Sequence, residues 1–255
     1  MDVVVLSKYI PNPTGTPELG EDFLVKREGV EGGLDPGDEY AVEAALQIAE
    51  KAGGEVTVVS MGPEPATAAV RKALSMGCAK AVLVTDDTLR GSDAWVTARV
   101  LAKAIQRDGF DLVLAGVEST DGSSGTLPMT LAELLGVPSL TFARKVDVAD
   151  GSLTIERQTE SGFDTVECPL PALVTVTAGA VEPRYPTLKG IMQAKQKPVD
   201  QLSLSDLGLS ADDAKATQRV TGIEDAPERG AGKIVEDESE GAARIAQFLQ
   251  EAKVI

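Results

Sequence analysis

Short runs of β-branched and aliphatic residues alternate with longer helical patterns through the first half of the chain. Four of these runs predict strands, at DVVVLSK (2–8), EVTVVSMG (55–62), AKAVLVTD (79–86) and FDLVLAG (110–116). Between them, apolar residues recur at the spacing of one helix face. Continuous apolar strands joined by helices are typical of a parallel sheet that is covered on both faces. The sequence therefore predicts an α/β fold.

The predicted helices are bounded by residues that favour helix ends. Gly53 and Gly77 close the first two, and Ser92 is the predicted N-cap of the third. The four helices are predicted at 38–53, 64–77, 92–109 and 125–136. Each of them precedes a predicted strand, as the alternation of an α/β sheet requires.

The pattern changes after residue 145. Two alternating runs separated by DG and SG turns predict an antiparallel hairpin at about 145–170, and LPALVTVTAG (170–179) predicts one more buried strand. From Glu182 onward regular periodicity gives way to a proline-containing segment, before a final amphipathic helix at 238–255. We therefore predict an α/β domain over 1–181 and, over 182–255, a C-terminal arm and helix that bind a partner subunit.

Composition excludes several classes of function. The chain has no histidine, so histidine-based catalytic triads and histidine-ligated zinc are excluded, and its two cysteines form no metal-type cluster. The formal net charge of −16 argues against binding to nucleic acid or to anionic membranes, because both are polyanions. No apolar run is long enough for a membrane span, and the N-terminus lacks a signal-peptide pattern. We expect a cytoplasmic protein without direct membrane insertion and without a metal site.

The stretch AGVESTDGSSGTLP (115–128) joins the fourth predicted strand to a helix. Ligands of parallel α/β sheets bind at the carboxyl ends of the strands, and a helix start presents N–H groups that suit a phosphate. Hydroxyl donors stand nearby, and Asp121 would hold the loop or a ribose hydroxyl. The alternative is a solvated loop with an N-cap. The pattern is neither a Walker loop nor a close dinucleotide fingerprint.

A second candidate loop precedes the first predicted helix, where Pro36 and Gly37 form a turn. Two interpretations of Asp35 and Asp38 remain open. They are helix caps, or the backbone of their turn contacts the adenine side of a nucleotide.

Four segments together resemble the beta subunit of electron transfer flavoprotein, and the resemblance runs from the first strand to the final helix. They are LDPGDEYAVEAALQIAE, VRKALSMGCAKAVLV, LAGVESTDGSSG and VEPRYPTLKGIMQAKQKP. The resemblance implies an adenine nucleotide alpha-hydrolase-like fold that holds a structural AMP. It also implies a heterodimer with an alpha subunit that holds the redox FAD. Such a complex accepts electrons from acyl-CoA and related dehydrogenases and passes them to the membrane-bound ETF-quinone oxidoreductase. The chain itself would be an electron carrier subunit without catalytic residues.

Carried over by position, the resemblance places the AMP contacts at three strand ends and one turn. The candidate contacts are Leu6, Asp35, Pro36, Gly37, Asp38, Met61, Ser119, Thr120, Asp121, Gly122, Ser123, Ser124, Gly125, Thr126, Leu127, Pro128, Met129 and Thr130.

The RYPTLK segment is similar to the family's partner-recognition loop, in which a leucine inserts into the dehydrogenase. That leucine corresponds to Leu188, with Tyr185 and Lys189 beside it. The alternative is that Leu188 packs on its own chain. Lys189, Lys195 and Lys197 form a basic patch that steers an acidic partner or is simply a solvated face.

Departures from the family pattern keep a second cofactor assignment open. Gly125 and Thr126 stand where many relatives have asparagine or glutamine, and the DG at 121–122 is similar to electron-bifurcating relatives. Those relatives hold a second FAD in place of AMP and oxidise NADH, although their glycine-proline step is replaced here by Pro128-Met129. A further alternative, from a different class, is a stand-alone ATP- or AMP-binding sensor module of the stress-protein type.

Overall fold

The computed structural model describes residues 1–12, 14–15, 18–27, 29–224, 226–227, 234 and 240–255. The strands are β1 (Asp2–Leu6), β2 (Tyr9–Pro11), β3 (Gly32–Leu34), β4 (Glu55–Met61), β5 (Lys80–Val84), β6 (Leu112–Gly116), β7 (Ser139–Ala149), β8 (Ser152–Thr159), β9 (Gly162–Pro169), β10 (Ala172–Val176) and β11 (Val199–Leu202). The helices are α1 (Pro36–Ala52), α2 (Thr67–Met76), α3 (Ala94–Asp108), α4 (Leu127–Leu135), α5 (Leu188–Ala194) and α6 (Gly241–Glu251).

The main sheet has the strand order β11-β5-β4-β1-β6-β10-β7-β8-β9. Pairing is parallel from β11 to β7 and antiparallel for β7–β8 and β8–β9. The predicted parallel sheet with an added antiparallel hairpin is therefore confirmed. A separate antiparallel pair, β2 with β3, was not predicted, because each of these strands has only three residues.

Helices cover both faces of the sheet, as predicted. On one face, Val5 and Leu114 pack in a core cluster with α1 and α2. On the other face, Val4 and Val113 pack in a cluster with α3 and α4. Neighbouring strand residues point to opposite faces, so a strand covered on both sides is apolar throughout.

The chain reverses direction across the sheet at β1. It adds β4 and then β5 on one side of β1, and α3 then returns it to β6 on the other side. In an open parallel sheet such a reversal leaves a crevice at the carboxyl ends of the two central strands, and ligands bind there. This places the crevice between the ends of β1 and β6.

The chain divides into two compact units, Met1–Thr221 and Gly222–Ile255. The predicted division after residue 181 lies earlier than this one. The difference arises because α5 packs on α2 and β11 pairs with β5, which keeps both elements in the first unit. In the second unit α6 corresponds to the predicted terminal helix, of which residues 238 and 239 lie outside the described residues. None of the described helices combines the length and hydropathy that crossing a lipid bilayer requires.

The N-cap of α3 is Asp93, so the prediction of Ser92 was wrong by one residue. One oxygen of the Asp93 carboxylate accepts the Val96 N–H at 2.9 Å, and the other accepts the Thr217 N–H at 2.6 Å. A serine hydroxyl cannot serve both segments in this way. The Ser92 hydroxyl instead donates to the Leu89 carbonyl at 2.8 Å.

Leu114→Ala should lower the free energy of unfolding by about 2–5 kcal/mol, because it leaves a cavity at a fully buried position of β6. Urea unfolding of this chain measures the change. The exposed Leu188→Ala is the control and should shift the midpoint little. Equal midpoints for Leu114→Ala and the wild type would contradict the close packing of this side chain in the core.

Candidate functional site

The predicted contact residues come from segments that end at one edge of the sheet. Leu6 ends β1, Met61 ends β4, and the loop 117–126 follows β6. Because β4, β1 and β6 are neighbours, these segments emerge side by side. Leu6 is buried and Met61 is half-buried at this edge. The fold therefore brings together the segments that were singled out separately in the sequence.

Asp35 is the N-cap of α1 and also binds the loop after β6. Its side chain is fully buried and accepts the Gly37 N–H at 2.8 Å, as a cap does. The same carboxylate accepts the Thr120 N–H at 2.6 Å and the Thr120 hydroxyl at 2.9 Å. The cap interpretation of Asp35 is confirmed. Contact between this turn and a nucleotide remains a prediction.

Asp38 binds the chain as it leaves β1. Its carboxylate accepts the Lys8 N–H at 2.7 Å and lies against Gly116, where a Cβ would come within 2.9 Å of Oδ1. A side chain at the end of β6 would therefore displace the Asp38 carboxylate. Burial, together with the nearby charge of Asp35, raises the pKa of Asp38 to about 8, although the Lys8 hydrogen bond acts in the opposite direction. Asp38 is thus a positioning group with an unusual protonation equilibrium, and not a cap.

Asp121 lies at the centre of an ion cluster that holds the loop after β6. Its side chain is only 5% exposed and pairs with the Lys8 ammonium at 2.6 Å and with the Arg27 guanidinium. The Lys8 ammonium also donates to the Ser119 hydroxyl at 3.0 Å. Burial opposes ionisation of Asp121, but the two cations outweigh it and hold the pKa of this carboxyl below its usual value. The geometry agrees with the interpretation that Asp121 holds the loop.

Sequence reasoning missed Lys8 and Arg27. Lys8 lies two residues after Leu6, at the end of the first strand, and that position could have indicated a site residue. Arg27 gave no such signal, because it lies 94 residues from Asp121 in the sequence.

The loop tip and the start of α4 are open to a ligand. Gly122, Ser123 and Ser124 are exposed, and the loop turns through positive φ at Ser123 (42°) and Gly125 (59°). Thr126 is the N-cap residue of α4 but makes no side-chain capping bond. The first amides of a helix carry partial positive charge, and here the Thr126 side chain accepts a hydrogen bond from none of them. The arrangement fits an anion.

Not every predicted contact in this stretch is equally available. Pro128 is buried in the packing of α4, and the Thr130 hydroxyl donates to the Thr126 carbonyl at 3.0 Å. Leu127 is half-buried and Met129 is exposed. The open part of the stretch is therefore Gly122 to Thr126.

Two buried hydroxyls at the same edge have no hydrogen-bond partner among the residues that the structure describes. They belong to Ser7, directly after β1, and to Thr67, the first residue of α2. Buried polar atoms are normally paired, so each marks a place where a polar ligand atom would be favourable. Their position after β1 and after β4 agrees with a ligand that lies across both strand ends.

The predicted partner-recognition residues lie at the surface around α5. Tyr185 is 89% exposed and Leu188 is 76% exposed, so Leu188 does not pack on the other described residues of Met1–Thr221. Lys189 is exposed as well. Lys197 differs from the expected basic patch, because its ammonium donates to the Leu74 and Cys78 carbonyls at 3.0 and 2.6 Å. It binds the carbonyl groups at the end of α2 and is half-buried, so it does not form an exposed basic patch with Lys189.

The chain is similar to known proteins over its full length. The family described as "Electron transfer flavoprotein domain" matches residues 22–207. "Electron transfer flavoprotein subunit beta" of Mycobacterium tuberculosis (strain H37Rv) is 44% identical over 264 residues, which cover 100% of this chain and 99% of the relative. The protein of the same name from Bacillus subtilis (strain 168) is 39% identical, with 92% and 93% covered. "Caffeyl-CoA reductase-Etf complex subunit CarD" of Acetobacterium woodii is 32% identical, with 100% of each chain covered.

The buried Asp38 should make stability depend on pH. Its pKa is raised to about 8 in the folded chain, so between its unfolded value and pH 8 the folded state keeps a proton that the unfolded state has lost. Its contribution to stability is full below about pH 4 and falls as pH rises through 8, by at most roughly 1.4 kcal/mol per pH unit. Asp38→Asn removes this dependence. Urea unfolding from pH 5 to 8 should therefore show the wild type losing stability relative to Asp38→Asn, and parallel curves would contradict the assignment.

Proposed function

Because this chain belongs to the electron transfer flavoprotein family as a beta subunit, we propose that it pairs with an alpha subunit and carries electrons through an FAD held in that complex. The name of the family describes flavoproteins that carry electrons, which implies a flavin. The name "subunit beta" of the relatives implies an alpha subunit as partner. The flavin supplies the redox chemistry, and the protein positions the flavin near a redox partner and then releases that partner. This chain would contribute two sites to the complex, namely a nucleotide site at the sheet edge and a docking face around α5.

At the sheet edge we propose that the chain binds AMP. One observation carries this proposal: two buried hydroxyls, those of Ser7 and Thr67, have no hydrogen-bond partner among the described residues and lie where β1 and β4 end. Asp35 and Asp38 fix the loops after β6 and β1, and Asp121 holds the polar loop against Lys8 and Arg27. The amides at the start of α4 would then donate to the phosphate.

A second cofactor assignment is supported by a different observation. The relative CarD is named as a subunit of a caffeyl-CoA reductase-Etf complex, and it matches this chain over its full length. The absence of side chains at Gly122 and Gly125 favours close approach of a larger ligand to the loop. The alternative is therefore a bifurcating subunit in which a second FAD occupies the AMP position and NADH is oxidised. The stand-alone sensor is disfavoured, because the full-length matches named above are electron transfer flavoprotein or Etf-complex subunits.

Cofactor analysis of the purified heterodimer separates these functions. The cofactors are released by denaturation and quantified by chromatography. One FAD and one AMP per heterodimer support the simple carrier. Two FAD molecules, no AMP and reduction by NADH support bifurcation. A chain that forms no heterodimer with an alpha subunit and binds ATP by itself would reject both.

Asp121→Ala should weaken nucleotide binding at the sheet edge. The substitution leaves Lys8 and Arg27 without the carboxylate that holds them against the loop, and the loop loses its fixed shape. Loss of a charged hydrogen bond corresponds to a roughly tenfold rise in the dissociation constant. AMP content per heterodimer after gel filtration measures the effect. Asp147→Ala, which removes an exposed carboxylate paired with Lys51, is the control. Equal AMP content in Asp121→Ala and the wild type would reject the role of this cluster.

For the docking face we propose that Leu188 inserts into an acyl-CoA or related dehydrogenase, and that the reduced complex then delivers electrons to ETF-quinone oxidoreductase. Exposed leucine anchors that fill a partner's pocket can dominate an interface.

Leu188→Ala should raise the apparent KM of the dehydrogenase for the heterodimer roughly 30-fold, the effect of losing one such anchor. Flavin content should not change. Leu19→Ala, at another exposed leucine, is the control. An unchanged KM in Leu188→Ala would show that the anchor lies elsewhere.

A further inference from the structure

Arg184 stands directly before the exposed recognition residues and is bound tightly to α1. Its Nε donates to Glu43 Oε2 at 2.7 Å and its Nη2 donates to Glu43 Oε1 at 3.0 Å. Its Nη1 donates to Glu50 at 2.6 Å, and its backbone N–H reaches Glu43 at 3.2 Å. Such a fork of bonds to two carboxylates fixes both the position and the orientation of the residue.

Glu43 is a buried partner, which makes this contact different from an exposed ion pair. Its side chain is 4% exposed and also accepts the Gln47 amide at 2.8 Å. Burial opposes ionisation of Glu43, yet the bonds from Arg184 and Gln47 hold its pKa below the usual value. A charged carboxylate at this depth requires its partner, so the backbone at Arg184 is held in place.

The far end of the same segment is fixed to α2. A Cβ on Gly190 would lie 2.6 Å from the Ser75 carbonyl oxygen, so α5 approaches α2 as closely as a glycine permits. The Arg71 guanidinium donates to the Lys197 carbonyl at 2.8 Å and also to the Ala194 carbonyl. Ala194 is buried. The segment between Arg184 and Lys197 is thus held at both ends.

Between these two attachments the apolar side chains point outward. Leu188, Ile191 and Met192 lie at helical spacing on one exposed face of α5, with Tyr185 exposed before it. A surface that is ordered before docking does not lose conformational entropy on docking, and affinity is higher for that reason.

We propose that Arg184 is a positioning residue for partner docking: its bonds to Glu43 and Glu50 hold the segment that presents Leu188. This inference rests on the proposed anchor role of Leu188. It adds a residue that need not touch the partner itself. Arg184 acts only by fixing the position of Leu188.

The test uses the complete heterodimer and a dehydrogenase that reduces it. Arg184→Gln should raise the apparent KM for the heterodimer roughly tenfold and leave kcat within about twofold, because docking is weakened while the flavin site is untouched. Flavin content and thermal midpoint are measured for every variant. Arg99→Gln is a matched control, since the Arg99 side chain is 34% exposed, as is that of Arg184, and pairs with Asp213. It should leave KM unchanged.

A double-mutant cycle separates positioning from a general structural effect. If Arg184 acts through Leu188, then Arg184→Gln should change KM little in a Leu188→Ala background. A roughly tenfold effect that persists in that background overturns the proposal. If Arg184→Gln does not fold, Gly190→Ala displaces the same segment from the α2 side without removing a charge, and it should give the same dependence on Leu188.

The outcomes also distinguish this inference from the function on which it rests. A raised KM in Leu188→Ala with no change in Arg184→Gln and Gly190→Ala rejects the positioning role and leaves the anchor intact. No change in Leu188→Ala rejects the anchor itself, and the positioning role with it.

Discussion

Two carboxyl groups at the N-terminus of α1, those of the N-cap Asp35 and of Asp38, determine the shape of the sheet edge. β1 ends at Leu6 and β6 ends at Gly116, and the N–H groups of Lys8 and Thr120, which follow these strands, donate to side chains instead of to the sheet. Asp38 accepts the N–H of Lys8, while Asp35 accepts the N–H and the hydroxyl of Thr120. Both acids lie at a helix N-terminus, where the helix dipole favours negative charge, but burial and the charge of Asp35 outweigh this at Asp38 and raise its pKa. The crevice beside β1 has a defined shape because these acids attach the segments that follow β1 and β6 to the same helix, α1.

The same device recurs elsewhere in the first unit. Asp93 joins the start of α3 to the segment around Thr217, and Glu43 joins α1 to the segment that carries the exposed leucine. The chain has a formal net charge of −16, yet these acids are structural groups that bind backbone amides or guanidinium groups. The acidic residues are therefore not only surface groups. Some of them bond to residues that are distant in the sequence, and these bonds define both proposed binding regions.

Particular residues show how far the sequence could be interpreted. The alternation of apolar strands and helices correctly predicted the parallel sheet. An aspartate before a helical pattern made Asp35 one of two candidate caps, and the structure shows that Asp35 is the cap. The N-cap at Asp93 was missed because the neighbouring Ser92 satisfies the same local rule, and the choice depends on Thr217, far along the chain. Arg27 and Arg184 were missed for the same reason, because their carboxylate partners lie 94 and 141 residues away. β11 was missed because a four-residue strand at the sheet edge has little periodicity of its own.

The sequence alone determined the class of fold, the family and the segments in which a ligand or a partner would be sought. These depend on local periodicity, on turn residues and on motifs, all of which are properties of neighbouring residues. Only the tertiary structure decided which acids are buried, that Lys197 turns inward while Leu188 stays exposed, and that Lys8, Arg27 and Asp121 form one cluster. Those outcomes depend on the strand order, which places the ends of β4, β1 and β6 beside one another although they are far apart in the chain. Burial and ion pairing are set by such neighbours in space, and no local pattern of residues encodes them.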